Sequence, residues 1–339
     1  MSPAPSDNLD GVDNTVSTLR TVITSETQPL ARRFRALFSL KYLACQQPPT
    51  DKTLPAIQAI AAAFSSPSAL LKHELAYCLG QTRNPDALPY LHEVVKDPQE
   101  DAMCRHEAAE ALGALGYESS LEILKTLRDN KDEVEVVRET CDIAVDRIIW
   151  ENSEERKAEK LKPSDFTSID PAPPMPLTAK EPSIPDLERA LLDTSLPLFQ
   201  RYRAMFALRD LASPPDLPTA TQAVESLAKG LKDPSALFRH EVAFVFGQLC
   251  HPASVPSLTE TLSNQEELGM VRHEAAEALG SLGDVDGVEE TLKKFLNDPE
   301  QVVRDSIIVA LDMAEYEKNG EIEYALVPGT GNLAAVPAA

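Results

Sequence analysis

Aromatic side chains make up only 5% of the 339 residues, with a single tryptophan, and there are just 13 glycines. Both shortages weigh against sheets, and the plentiful Ala and Leu suit stacked helices instead. Cysteine is thin too: Cys45, Cys78, Cys104, Cys141 and Cys250 form no C-x-x-C pair. That leaves no disulfide framework and fits reduced thiols inside a cell. Cys104, two residues before a histidine of interest, is read as a small buried residue. No apolar run reaches membrane-spanning length and no signal peptide is recognisable, so the expected place is the cytoplasm, with the nucleus as a second compartment. Positive charge is also scarce, 32 Lys and Arg against 54 Asp and Glu, for a net charge of −22. Nucleic acid would be repelled, while a cationic partner would be drawn in.

What is present is repetition. The phrase Arg-His-Glu-Ala-Ala-Glu-Ala-Leu-Gly stands at 105–113 and returns unchanged at 272–280. Looser copies, Lys72-His-Glu and Arg239-His-Glu, precede each, so the histidines fall at 73, 106, 240 and 273. The step is 33 residues within each half and 167 between halves. Two helices per step, separated by Asp97-Pro98, Asp233-Pro234 or Asp298-Pro299, give the pattern of HEAT-like repeats. The expected fold is therefore all-α: two lobes of four helical-hairpin repeats, made by internal duplication. A disordered leader is expected at 1–15, lobes at 16–150 and 186–316, and a mobile tail at 317–339. Between the lobes, 151–185 carries Pro171, Pro173, Pro174, Pro176 and Pro182 and reads as an extended linker.

Aligned at one slot, the eight repeats read Phe34, His73, His106, Glu139, then Tyr202, His240, His273, Asp305. Only the two inner repeats of each lobe carry His-Glu. A lone His-Glu on a helix is usually solvated surface, and His92-Glu93 is read so because its counterpart is Thr259-Glu260. His251, in a turn, is read as surface too. Four of six histidines in one slot, each followed by Glu, need another reason. If the concave faces meet, His73, Glu74, His106, Glu107, His240, Glu241, His273 and Glu274 converge as candidate ligands of a dinuclear centre. Imidazole and carboxylate without thiolate suit iron, manganese or zinc, and two His with one carboxylate per metal is the composition of oxygen-using non-haem iron sites. Composition leaves zinc open.

A bilobal HEAT-like array with four His-Glu pairs in register resembles the deoxyhypusine hydroxylase family over roughly 16–315. The resemblance implies a monooxygenase that uses two Fe(II) ions and molecular oxygen. Its substrate would be the deoxyhypusine side chain of a translation initiation factor, and the protein a monomer that binds neither nucleic acid nor membrane. It further implies iron ligands at His73, His106 and Glu107 in one lobe and His240, His273 and Glu274 in the other. Glu74 and Glu241 then serve as ligands or hold the substrate amine, while Gly80, Gly247 and Met270, with Met103 its counterpart, match positions tied to substrate. Two other readings stay open: an acidic HEAT-like scaffold for a basic protein, without catalysis, and a metal-dependent lyase or hydrolase.

Overall fold

In a computed structural model, which describes residues 14–161, 164–176 and 182–319, those residues contain helices and no strand. The leader expected at 1–15 and the tail expected at 317–339 lie outside the described residues, except that the first helix starts at Thr15 and the last runs to Asn319. Eight helical hairpins follow one another. In the first lobe they are α1 (Thr15–Thr24) with α2 (Leu30–Ala44), α3 (Thr53–Ala61) with α4 (Ala69–Gly80), α5 (Leu88–Lys96) with α6 (Ala102–Leu115), and α7 (Leu121–Asp129) with α8 (Glu135–Glu151). A short α9 (Glu154–Ala158) leads into the connection. The second lobe pairs α10 (Ile184–Leu192) with α11 (Leu198–Leu211), α12 (Ala220–Ala228) with α13 (Ala236–Leu249), α14 (Val255–Ser263) with α15 (Gly269–Gly280), and α16 (Val288–Lys293) with α17 (Gln301–Asn319).

Local chemistry explains where the inner helices begin. Ser68, Asp101 and Ser235 accept from the backbone N–H of Leu71, Met103 and Phe238 and so cap α4, α6 and α13. Each odd repeat then uses one arginine as an internal staple. The Nε of Arg33, Arg105, Arg201 and Arg272 donates to the carbonyl ten residues earlier, that of Ile23, Val95, Leu191 and Leu262, at 2.9, 3.2, 2.9 and 3.0 Å. The rest of each guanidinium pairs with Glu26, Glu133, Asp233 or Asp298. A planar fork can join two helices and the following loop at once, which a lysine could not. The arginine of the nine-residue phrase therefore belongs to the frame. Its last glycine does too: a Cβ on Gly280 would sit 2.8 Å from Ala310 Cα, so α15 and α17 approach almost backbone to backbone.

The second helices of the hairpins form a closed ring. Along the chain α2, α4, α6 and α8 pack in turn, α8 meets α11 and α13, and α17 returns to α2 and α4. Arg35 seals that last junction with Nε and Nη2 on Asp312 at 2.9 and 2.6 Å. At the other junction its counterpart Arg203 pairs with Glu159 of the connection at 2.7 Å. The ring has a pseudo-twofold axis. His73 meets His240 at 5.7 Å between ring centroids, and one turn on Tyr77 meets Phe244 at 5.9 Å. Like residues meeting at two successive levels means that α4 and α13 run parallel beside that axis.

Residues 164–176 form no helix and are docked against both lobes. Gln81 of one lobe donates to Ile169 O and accepts from Ile169 N, at 3.3 and 2.7 Å. From the other lobe Arg209 pairs with Asp170 at 2.8 Å and stacks on Phe166 at 4.2 Å.

Candidate metal centre

Four imidazoles occupy the middle of the ring. Successive centroid distances are 5.3 Å from His73 to His106, 5.1 Å to His240, 5.4 Å to His273 and 5.2 Å back to His73. All four histidines and their glutamates are buried, none more than 8% exposed. The duplicated slot thus brings its four His-Glu pairs together around the axis. Glu107 lies 3.3 Å from His73 Nε2, and Glu274 lies 3.3 Å from His240 Nε2, so each lobe contributes the same His-carboxylate contact. The outer slots behave differently. Phe34 and Tyr202 are fully packed, while Glu139 and Asp305 face the cap residues of the next lobe, Ser235 at 2.7 Å and Ser68 at 3.5 Å.

The cluster is chemically incomplete as a purely protein structure. Both ring nitrogens of His106, His240 and His273, Nε2 of His73 and one oxygen of Glu241 have no hydrogen-bond partner of sound geometry, although buried. Buried polar atoms are ordinarily satisfied, so a cluster of unpartnered ones fits an ion-binding site. The protonation of His106 and His273 agrees. Burial, then His240 and His73, push His106 well below the ordinary histidine range; burial and its three imidazole neighbours do the same to His273. Neutral imidazole is the ligating form. For His73 the burial effect is outweighed by Glu107 and Glu74, which hold its pKa well above the usual value. Donor atoms within 4.8 Å of one another group as His73, His106 and His240; as His240, His273 and Glu274; and as His106, Glu107 and Glu110. The first of these crosses the lobe boundary, so the histidine grouping is shared between lobes.

Sequence reasoning did not single out Glu110 and Glu277, and the structure puts both at the cluster. Each stands four residues after a clustered histidine, hence on the same helical face. Glu277 Oε1 is 3.6 Å from His273 Nδ1 and accepts from Ser306 at 3.2 Å. That spacing was the available signal. Met103 and Met270 lie one turn before their histidines, Met103 buried and Met270 half-buried. Gly80 lies two turns beyond His73, where a Cβ would be 2.8 Å from Ala111 Cα; the corresponding distance at Gly247 is 3.4 Å to Ala278 Cα. Both glycines are helix contacts outside the imidazole cluster. Cys104 is buried and donates to Ala69 O at 3.3 Å. His92 and His251 stand apart from the centre. His92 meets Ser120 Oγ at 3.0 Å. His251, expected at the surface, is buried at 7% exposure because its Nδ1 caps a short turn by accepting from Ala253 N–H.

A closed HEAT-type ring with a buried His-carboxylate cluster defines the class, and comparison agrees: the HEAT repeats family matches residues 57–144 and 224–312. Deoxyhypusine hydroxylase of Emericella nidulans is 85% identical over 98% of this chain and 99% of its own, and that of Aspergillus clavatus 84% over 99% and 100%. The solved structure of human deoxyhypusine hydroxylase in complex with glycerol is 45% identical, covers 90% of this chain and 97% of its own, and superposes with a TM-score of 0.78. The chain belongs to the deoxyhypusine hydroxylase family.

Proposed function

We propose that the chain hydroxylates the deoxyhypusine side chain of a translation initiation factor, using two Fe(II) ions held by His73, His106 and Glu107 and by His240, His273 and Glu274. Bound there, iron would supply the activation of molecular oxygen that attack on an unactivated C–H bond requires. One oxygen atom enters the product as C–OH and the other leaves as water, with two electrons from an external reductant. The observation that carries the reading is the quartet of buried imidazoles, seven of whose eight ring nitrogens lack a hydrogen-bond partner, the eighth, His73 Nδ1, meeting Glu74 Oε1 at 3.1 Å.

The protein's own work is binding and orientation. Glu74 and Glu241 supply carboxylates for the substrate amines, and Met103 and Met270 flank the histidines from the preceding turn. Holding a flexible chain so that one carbon faces the centre converts an improbable encounter into a positioned one. Closure of the ring keeps bulk water from a site where unreacted oxidant would be wasted. The overall charge of −22 favours capture of a cationic side chain. A scaffold without catalysis would have no use for imidazoles buried without partners, and its concave face would be lined with exposed groups. The test is to incubate iron-loaded protein, reductant and oxygen with a deoxyhypusine-bearing protein. Gain of one oxygen atom in the product is expected; an unchanged substrate mass would refute the reaction.

A further inference from the structure

We propose that residues 166–171 of the connection act as a clamp on the ring axis. The clamp sets the spacing of the two lobes, and through it the geometry of the metal centre, with Gln81 and Gln248 as positioning residues. Its role rests on the proposed iron centre, although the two glutamines stand eight residues beyond His73 and His240, about 12 Å along their helices.

The centre itself supplies little cohesion between the lobes. Seven of the eight ring nitrogens have no hydrogen-bond partner, and two cations bound among them would repel each other. Yet the donor group of His73, His106 and His240 needs atoms from both lobes within 4.8 Å of one another. The spacing must therefore be fixed by residues outside the cluster. At the two junctions of the ring this is done by Arg35 with Asp312 and by Arg203 with Glu159. On the axis another device serves.

There α4 and α13 present equivalent residues at three successive levels. His73 and His240 stand at 5.7 Å between ring centroids, and Tyr77 and Phe244 at 5.9 Å. The third pair, Gln81 and Gln248, is joined through the connection. Gln81 donates to Ile169 O at 3.3 Å and accepts from Ile169 N–H at 2.7 Å, while Gln248 Nε2 donates to Ser168 Oγ at 2.9 Å. Ser168 and Ile169 are consecutive, with Cα atoms about 3.8 Å apart. Two adjacent residues that meet both members of a symmetry-related pair lie on the axis between them. Each lobe adds a further hold. From the second, the fully buried Arg209 pairs with Asp170 at 2.8 Å and donates to Gln248 Oε1 at 2.9 Å. On the first, Pro171 is buried and borders the same small cavity as Gly113, Ile143 and Ala144. The connection thus draws α4 and α13 together, and the rings of Tyr77 and Phe244, between clamp and imidazoles, limit how closely the helices approach.

Gln81→Ala releases the clamp from the first lobe, and Gln248→Ala releases it from the second. Hydrogen exchange of the metal-free full-length chain, anaerobic Fe(II) titration against a chromophoric chelator, and Mössbauer spectra of the loaded chain are measured together. Each substitution is expected to deprotect the amides of 166–170 and to weaken iron binding about tenfold, the lower end of what losing a supporting hydrogen bond does to a metal site. The Mössbauer lines should broaden as the spacing between the irons loses definition. The double variant should bind iron no more weakly than either single one, because the clamp fails once one lobe is let go. Unchanged iron affinity and Mössbauer lines in a variant whose 166–170 amides are deprotected would overturn the proposal, since the clamp would then serve stability alone. So would amides that stay protected in both single variants, or losses of affinity that add in the double. The two glutamines belong to different lobes, so misfolding of one variant leaves the other to decide. A parent chain that took up no iron would instead defeat the metal centre, and exchange in 166–170, α4 and α13 would still read the clamp.

Discussion

Asp298→Ala tests whether the arginine staples form the frame that holds the site. Arg272 and Asp298 are each 1% exposed at the side chain, and Arg272 Nη1 donates to Asp298 Oδ1 at 3.0 Å. Removing the carboxylate strands a guanidinium whose remaining staple partner is the Leu262 carbonyl. Breaking a buried ion pair from one side typically costs about 3–5 kcal/mol, chiefly through the uncompensated charge. Denaturant unfolding of the iron-free protein reads this directly. A double variant, Arg272→Met with Asp298→Leu, removes both charges and should fall far less, since apolar groups of similar volume often replace such pairs at little cost. The pH dependence follows in sign. Burial alone would raise the Asp298 carboxyl, but hydrogen bonds from Arg272 and from the Glu300 N–H outweigh it and hold the pKa below the usual value. The pair's contribution is therefore complete above the ordinary Asp value of about 3.9 and fades as pH falls through the lowered folded value. Asp298→Ala should lose that acid-side dependence. A loss below about 1 kcal/mol, the range of exposed pairs, would refute the reasoning. So would a double variant that folds yet no longer binds iron, because Arg272 would then belong to the site.

Three further outcomes are expected. Alanine at His106 or His273 should leave the helical content in place and sharply lower iron content by metal analysis; full occupancy in either variant would sink the ligand assignment. Gly80→Val forces a side chain against Ala111 Cα, where even a Cβ would sit at 2.8 Å, and should cost at least about 1–3 kcal/mol of stability by the scale of overpacked cores. Asp312→Ala removes the partner of Arg35 at the ring junction, a half-exposed bidentate contact with Nη2–Oδ1 at 2.6 Å. It should cost about 1 kcal/mol or less while increasing hydrogen exchange in α2 and α17 more than in α6.

The sequence was most informative where repetition constrained it. A 33-residue step and an Asp-Pro between helices placed the hairpins, and helix α6, Ala102–Leu115, follows Asp97-Pro98 accordingly. The histidine slot was legible because four of six histidines shared it. Four features were not. Ring closure by Arg35 and Asp312 joins residues 277 apart, and no local pattern encodes such a contact. Docking of the proline-rich connection depends on Arg209, Gln81 and Gln248, ordinary helical residues until Phe166, Ser168, Ile169 and Asp170 lie beside them. Glu110 and Glu277 were hidden because the same phrase had to specify helix packing, and a glutamate on a helix is by default a solvated one. His251 escaped for a related reason: a turn histidine is usually exposed, and only its capping bond to Ala253 buries it.

The central claim is that imidazoles from two lobes hold a pair of irons, one on either side of the ring axis. Crystals of iron-loaded protein, measured for anomalous scattering on either side of the iron absorption edge, test it directly. Two peaks are predicted among the imidazoles of His73, His106, His240 and His273, related by the pseudo-twofold axis. A single peak, peaks away from those imidazoles, or scattering that appears at the zinc edge instead would contradict the account.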